Sequence, residues 1–577
     1  MDKFFILYVF LTLLFLLVLY KTTKRSKSKS SPTNLPPGPW KLPLIGNLHQ
    51  FFGSTPPHHV LRNLATKFGP LMHIKLGEVS HIIVSSPEMA KEIMKTHDII
   101  FSNRPNILVS KLAYNGKDIA FSPYGSYWRQ LRKMCTEELL ASKRVQCFRS
   151  IREEEVSALI ETISSSEGLV VNLSEKIYSL TYGITARAAL GEKCMCQHEL
   201  ISIIEEAMHL AGGLVVADLY PSFTWLQMFS VVKAKSKKMF RKIDEILDNI
   251  IKDHKNRRSS SHLCEANQKD LVDVLLGFQQ PNKDICLEHP VADDNVKAVI
   301  LVLSSMVVFP SITDVISAGS ETSSAVVEWA MSEMVKNPKV MEKAQAEVRK
   351  VYNSKGHVDE TDLDQLTYLK CVIKETMRLH PPTPLLLPRE SKERCEINGY
   401  DIPAGTRVLI NALAIGRDPK HWTNAETFKP ERFLDSSIDY KGTNYEFIPF
   451  GAGRRMCPGI AFAIADIELP LAQLVYHFDW RMPNGIKNEE LDMSESYGFT
   501  ARRQNGLCMI PIVHHHQLSF IKHVAYPNYK AKLKDNKFRG LSPQRSCSKL
   551  HHTTHRTHLV EDFLAQMHFW SIDPMCV

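Results

Sequence analysis

The chain has 577 residues and 44% hydrophobic content, enough for a large buried core and unlike a disordered or collagenous chain. Net charge is +9, but residues 514–577 carry nine Lys+Arg against four Asp+Glu, leaving too little positive charge elsewhere for a nucleic-acid partner. The twelve cysteines have no framework spacing and read as reduced thiols of a cytosolic compartment. Phe4 to Tyr20, FFILYVFLTLLFLLVLY, is seventeen residues without a charge. At ~1.5 Å per residue it spans about 26 Å, close to the thinner endoplasmic reticulum bilayer. Lys21, Lys24, Arg25, Lys27 and Lys29 follow it. A cleaved signal peptide would carry its positive charge before the apolar run, so residues 1–20 are expected to stay in the lipid as an anchor. The body then faces the cytosol, where the sequon at Asn172 stays unmodified.

Residues 21–39 are a basic, proline-rich linker ending in LPPGPW, stiffened by its prolines. LMHIKLGE and HIIVSS then read as strands, and SPEMAKEIMKTH as a helix capped by Ser86 with Pro87 at its first position. EEEVSALIETI, FRKIDEILDNIIKDH and KVMEKAQAEVRKVY have the 3.6-residue apolar spacing of helices. Cys194-Met195-Cys196 with His198 suggests zinc, but a structural site needs four ligands and no second cluster completes it. KNRRSSSHLCEANQKD reads as a loop, and EINGYDIPAGTRVLIN as further strands. The pattern predicts a mainly α domain with small β-sheets over residues 40–513, without internal repeats.

Five short motifs lie along this domain. In WRQLRK, Arg132 falls one helical turn past Trp128. AGSETS, Ala318 to Ser323, reads by itself as the capped start of a helix. In KETMRLHPP, Glu375 and Arg378 share a helix face, which for an isolated pair means a surface ion pair. PERF, Pro430 to Phe433, precedes FGAGRRMCPG, Phe450 to Gly459, by about twenty residues. That last stretch invites a dinucleotide-loop reading through Gly451 and Gly453. Met456 stands where the third glycine belongs, however, and Pro449 interrupts the strand before it. The other reading makes Cys457 a thiolate ligand to iron. Glycines let backbone N–H groups approach the sulfur, and the helix opened by Pro458 and Gly459 directs its positive end toward it.

Phe450, Gly453, Arg455, Cys457 and Gly459 form F-x-x-G-x-R-x-C-x-G. With the other four motifs in order, the chain from Leu35 to about Ile512 resembles a plant microsomal cytochrome P450. The wording LPPGPWKLPLIGNLHQ, YGSYWRQLRK and ADLYPSF is most similar to the A-type branch that hydroxylates terpenoids and alkaloids. The resemblance implies a cytochrome P450 fold behind a single N-terminal transmembrane helix, with haem b (iron protoporphyrin IX) ligated axially by Cys457. It places Phe450, Gly451 and Gly459 in the haem loop, and Arg455, Trp128, Arg132 and Arg389 on the haem propionates. Glu375, Arg378 and Arg432 become a buried network that holds the loop. Gly319 leaves room for dioxygen, Thr322 opens a bend in the distal helix, and Glu321 relays protons. Substrate would meet Val315, Ile316 and Ala318, the segment from Thr383 through Leu386 and Leu387, the loop Asn103 to Phe121, and Phe499. The activity implied is insertion of one atom of O2 into a C–H bond of an apolar small molecule, probed by area and shape. Electrons would come from an NADPH-cytochrome P450 reductase in the same membrane, with cytochrome b5 as a second donor.

Two stretches depart from the family pattern. Residues 302–313, VLSSMVVFPSIT, stand as an insert ahead of DVISAGSETS, and Pro310 within it is expected to kink or break the helix. Residues 514–577 hold nine of the 24 histidines and read as a disordered tail. The insert leaves open a haem-binding membrane protein without turnover. A hydroperoxide-rearranging P450 is the other alternative, against which the Glu321-Thr322 pair argues.

Overall fold

Strands from opposite ends of the chain meet in one sheet that frames the helices. The computed structural model describes residues 12, 34–107, 116–191, 216–223, 231–259, 270–279, 288–303, 317–353, 355–496, 498 and 500–514. The anchor (Thr12 apart), the linker up to residue 33, Cys194 to His198, residues 304–316, Tyr497, Phe499 and the tail from residue 515 lie outside the described residues.

The strands are β1 (Leu71–Leu76), β2 (Val79–Val84), β3 (Val171–Asn172), β4 (Arg389–Glu390), β5 (Cys395–Ile397), β6 (Tyr400–Ile402), β7 (Arg407–Ile410), β8 (Phe478–Arg481) and β9 (Cys508–Val513). Among the described residues they form sheets ordered β1-β2-β7-β4, β3-β9-β8 and β5-β6. The first is mixed: β1 and β2 are an antiparallel hairpin with Leu71 opposite Val84, and β2 runs parallel to β7 with His81 opposite Arg407. The β5-β6 hairpin turns at Asn398 and Gly399, both at positive φ, the twist-matched arrangement for a two-residue turn. The expected strands are all present.

The main helices are α1 (Pro57–Phe68), α2 (Ser126–Met134), α3 (Arg149–Ser164), α4 (Leu173–Leu190), α5 (Val231–Ser259), α6 (Asp293–Leu303), α7 (Ser317–Lys336), α8 (Pro338–Tyr352), α9 (Thr367–Leu379) and α10 (Ile460–His477). Ser86 caps its short helix as expected, its hydroxyl accepting from the Met89 N–H at 3.4 Å. Asn172 likewise caps α4 by accepting from the Glu175 N–H. Residues 255–259 of the expected loop are helical instead: α5 continues to Ser259, because Lys, Asn and Arg are compatible with a helix even without apolar spacing, and the rest of that stretch up to residue 269 lies outside the described residues. α7 lies centrally, packed against α4, α9 and α10. Trp329 of α7 is fully buried and donates its indole N–H to the Ala501 carbonyl at 2.8 Å. α10 is apolar enough to cross a membrane, yet most of it is buried inside the protein, the signature of a core helix.

The hairpin carries two buried imidazoles. His73 Nδ1 takes a hydrogen bond from Lys41 at 2.8 Å, and His81 Nδ1 donates to the Val79 carbonyl at 3.1 Å. Burial, then neighbouring cations, pushes His73 down to about 4 and His81 to about 3. A histidine lowered in the fold contributes stability above its unfolded value, near 6.5, and loses it as pH falls toward the folded value. Between pH 6.5 and pH 5, His81 should therefore cost about 2 kcal/mol. His81→Gln should lose that much less stability over this interval in denaturant titrations, and parallel pH profiles for the two proteins would refute the assignment.

Candidate active site

α9 ends in a charge cluster withdrawn from water. Glu375 and Arg378 are essentially unexposed, three residues apart on one helical face. Arg378 donates from Nε to Glu375 Oε2 at 2.7 Å and from Nη2 to Oε1 at 2.8 Å. Its Nη1 reaches the carbonyls of Gly416 and Ala425, both at 2.7 Å. Arg432 Nε adds a bond to Glu375 Oε1 at 3.0 Å, and the Lys429 N–H another at 2.7 Å. The expected three-residue network is thus assembled, with its donors satisfied by backbone that a surface pair would not meet.

The glycine-rich stretch closes on itself. The Cys457 N–H donates to the Phe450 carbonyl at 3.0 Å. Gly451 and Gly453 both sit at positive φ. A side chain at Gly453 would also collide with the Met94 carbonyl at 2.2 Å, so the loop can lie this close only with glycine there. Asp98 ties the loop down. Its carboxylate accepts from the Arg454 N–H at 2.9 Å and from Arg389 Nη1 at 3.0 Å, while Arg389 Nη2 donates to the Ala452 carbonyl at 2.8 Å.

Cys457 is half-buried and lines a cavity of about 1190 Å³, mouth included. Phe450, Gly451, Gly459, Arg389 and Arg455 line it with Cys457, and Gly319 and Thr322 line it from α7. Thr383, Leu386 and Leu387 line it too, with apolar Ile119, Leu140 and Val326. Burial pushes the Cys457 thiol up, opposed by the Gly459 N–H and by the charge of Arg132. Arg104, Arg389 and Arg455 are all buried on this wall. Burial and then mutual repulsion lower Arg104 well below its ordinary value, and Arg455 falls to about 9. Asp118, close by, is pushed up to about 6 by burial. Three crowded cations beside a thiol call for a guest that brings anions and a metal with affinity for sulfur. Haem, with two carboxylates and an iron, fits that donor set.

Several expected roles change in detail. Arg455 was assigned a propionate fork, but its donors serve the backbone: Nε to the Ser102 carbonyl at 2.8 Å and Nη2 to Ser122 at 2.6 Å. Its guanidinium also covers the Trp128 ring, 4.1 Å from the centroid. Trp128 does not line the cavity, since its indole N–H goes to the Ile119 carbonyl at 2.9 Å. Arg132 does not line it either. Gly319 was expected to make space for dioxygen. The direction of its absent Cβ instead faces Thr185 Oγ1 at 3.2 Å and Phe462 at 3.4 Å, so the missing side chain lets α7 approach α4. Glu321 is buried but turned from the cavity, with Oε1 3.1 Å from Arg502 Nε. Ile316 and Phe499 lie outside the described residues, as does the side chain of Ala318. The sequence reading missed Asp98 and Arg502, and it included Arg104 and Asp118 only as members of the Asn103 to Phe121 loop, without a role. Each is a common residue in an unremarkable context, and only the fold brings it to the site.

A family model for cytochrome P450 matches residues 36–508. The chain is 59% identical over 515 residues to Cytochrome P450 71D10 of Glycine max, covering 88% of this chain and 97% of that one. It is 53% identical to desmethyl-deoxy-podophyllotoxin synthase of Sinopodophyllum hexandrum, covering 87% and 96%. It is 52% identical to tabersonine 16-hydroxylase 2 of Catharanthus roseus, covering 88% and 97%. A solved zebra fish cytochrome P450 with progesterone shares the fold at a TM-score of 0.66 and 23% identity, covering 79% of this chain and all of that one.

Removing one partner of a buried pair leaves an uncompensated charge, at about 3–5 kcal/mol. Glu375→Gln should therefore destabilise the protein by that order in thermal or denaturant unfolding. A loss below 1 kcal/mol would show that the cluster does not hold the fold.

Proposed function

Because the chain belongs to the cytochrome P450 family, and is thus a haem monooxygenase of specialised metabolism, we propose that it hydroxylates an apolar small molecule of the terpenoid, alkaloid or phenolic kind. The observation that carries this reading is one shared cavity. Cys457 stands on one wall and Thr322 on another, and apolar Ile119, Val326, Leu386 and Leu387 line the space with them. The relatives named for tabersonine and for desmethyl-deoxy-podophyllotoxin favour the alkaloid and phenolic arms over the terpenoid one.

Cys457 Sγ would hold the iron, and Arg104, Arg389 and Arg455 would offset the carboxylates by charge. Once bound, the haem supplies oxygen activation, placing one atom of O2 in a C–H bond and releasing the other as water. Thr322 would orient a proton donor inside the cavity. Glu321 would move protons to it by leaving Arg502, since its Oε2 is buried without a hydrogen-bond partner among the described residues. Leu386, Leu387 and Thr383 would select substrate by shape. Electrons would come from an NADPH-cytochrome P450 reductase, or from cytochrome b5, in the endoplasmic reticulum membrane. The exposed Arg129 and Lys133 on α2 offer an acidic donor a place to dock.

The test is a reduced-CO spectrum followed by NADPH consumption and product analysis with purified reductase, over alkaloid, lignan and terpene panels. Wild type should show the thiolate band and convert members of one class. Cys457→Ser should lose both, and retention of band and turnover in that variant would overturn the reading. Glu321→Gln should keep the band yet form product on the order of a hundredfold more slowly, as expected for a lost proton carrier. Unchanged product per NADPH would remove Glu321 from the path.

A further inference from the structure

We propose that His58, His59 and Glu495, with His380 beside them, form a binding site for a divalent metal ion of the zinc class, separate from the haem cavity. None of the four lines that cavity. They come from three distant segments: the first turn of α1, the residue just past α9, and the stretch between β8 and β9.

Glu495 Oε2 lies 2.6 Å from His58 Nε2 and 3.1 Å from His59 Nε2. One donor atom from each of these three residues lies within 4.8 Å of the other two. Hydrogen bonds alone could explain this trio, but they do not explain His380. Its ring lies flat on Trp329, centroids 4.1 Å apart and planes 4° from parallel, so its orientation is fixed. Its Nε2 sits 2.7 Å from Glu333 Oε1, which requires a proton on Nε2. Nδ1 is then a bare lone pair, buried and without a hydrogen-bond partner among the described residues. It faces Glu495 Oε1 at 4.0 Å. Two acceptors facing each other inside a protein are unfavourable unless a proton or a cation lies between them. Burial disfavours the proton, holding His380 below the ordinary histidine range despite Glu333.

The same chemistry defines the guest. His58 Nε2 faces Glu495 at hydrogen-bond distance, so a metal taking that nitrogen would move its proton to Nδ1. Burial opposes the charge on Glu495, but the hydrogen bonds of His58 and His59 outweigh it and hold the carboxyl low, hence ionised. Imidazole and carboxylate are the borderline donors that suit zinc, and His58, His59 and Glu495 supply three of them, leaving a fourth position for His380 or water. Glu333 behind His380 is the backing carboxylate that metal-bound histidines commonly have. Zn–N bonds of ~2.0–2.1 Å in a tetrahedron put ligand atoms about 3.3 Å apart. The two short contacts would each open by under about 1 Å to meet that spacing. Glu495 and Glu333 balance a dication. Arg417, the nearest competing cation, is engaged by the Leu379 carbonyl at 2.6 Å and by Glu426 at 2.8 Å. His59 is 26% exposed and gives the ion a way in.

The experiment uses the full chain with haem, in detergent, and zinc itself as probe. Zinc bound per chain is measured by elemental analysis after dialysis, and affinity by competition with a chelator. The tail from residue 514 holds nine of the 24 histidines, so the readout is the difference between proteins that all carry it. His59→Gln, a part-exposed position that should fold normally, is expected to weaken one equivalent at least tenfold, and Glu495→Gln to remove it. Zinc should raise the melting temperature of wild type and not of His59→Gln. Equal zinc content and equal thermal shifts in wild type and His59→Gln would overturn the proposal, as would wild type that binds only at the tail.

Discussion

Glu375 has no contact with water, and a carboxylate in that position is tolerable only if its oxygens are met by charge and by hydrogen-bond donors. Two guanidinium groups and a backbone N–H meet them. The consequence is geometric. Arg378 must sit against the carbonyls of Gly416 and Ala425, and Arg432 against Thr423, so the end of α9 and the chain from 416 to 433 have one mutual arrangement. The loop bearing Cys457 follows that segment directly. A network with no part in chemistry therefore sets where the sulfur can be. Arg378 and Arg432 also lie over Trp422, at 5.2 and 5.9 Å, so the same side chains that satisfy the charge are packed apolar body as well.

A second constraint acts on the cysteine loop from the other side. Asp98 bonds both the Arg454 N–H and Arg389, and Arg389 bonds Ala452. Arg455 reaches across to Ser102 and Ser122. The cations beside the cavity are thus already fixed by backbone carbonyls before any guest arrives. Their fields remain directed into the cavity although their hydrogen bonds are used elsewhere. An anionic cofactor would therefore meet fixed charge in a low-dielectric wall.

Much of this was legible in the sequence, for reasons that can be named. Strands such as LMHIKLGE and helices such as KVMEKAQAEVRKVY carry their period in the apolar residues themselves. Glu375, Arg378 and Arg432 could be placed together because a motif of known spacing names all three. Period fails where one face has nothing to bury: Lys255 to Ser259 is polar throughout and still helical, since an exposed last turn needs no apolar partner. Residue type fails where the neighbour is remote in sequence. Gly319 shows that something must come close, but that this is Thr185 of α4 depends on the packing of two helices. Asp98 and Arg502 carry no local mark, because their partners lie hundreds of residues away.

The ion pair of Glu321 with Arg502 connects these themes. A carboxylate beside the cavity would be poorly solvated once apolar substrate filled the space, and in that position its charge would be costly. Turned to Arg502 it keeps a counter-ion, and Arg502 is itself held over the Tyr178 ring at 4.2 Å. The resting arrangement therefore keeps this carboxylate out of the cavity and holds it just outside. A proton carrier so placed has to exchange one partner for another at each delivery, and the strength of the Arg502 pair sets how readily it leaves. With Glu321 as the proposed carrier, selectivity for an apolar guest and the rate of proton supply would be coupled through one salt bridge, so strengthening it would favour binding at the expense of turnover.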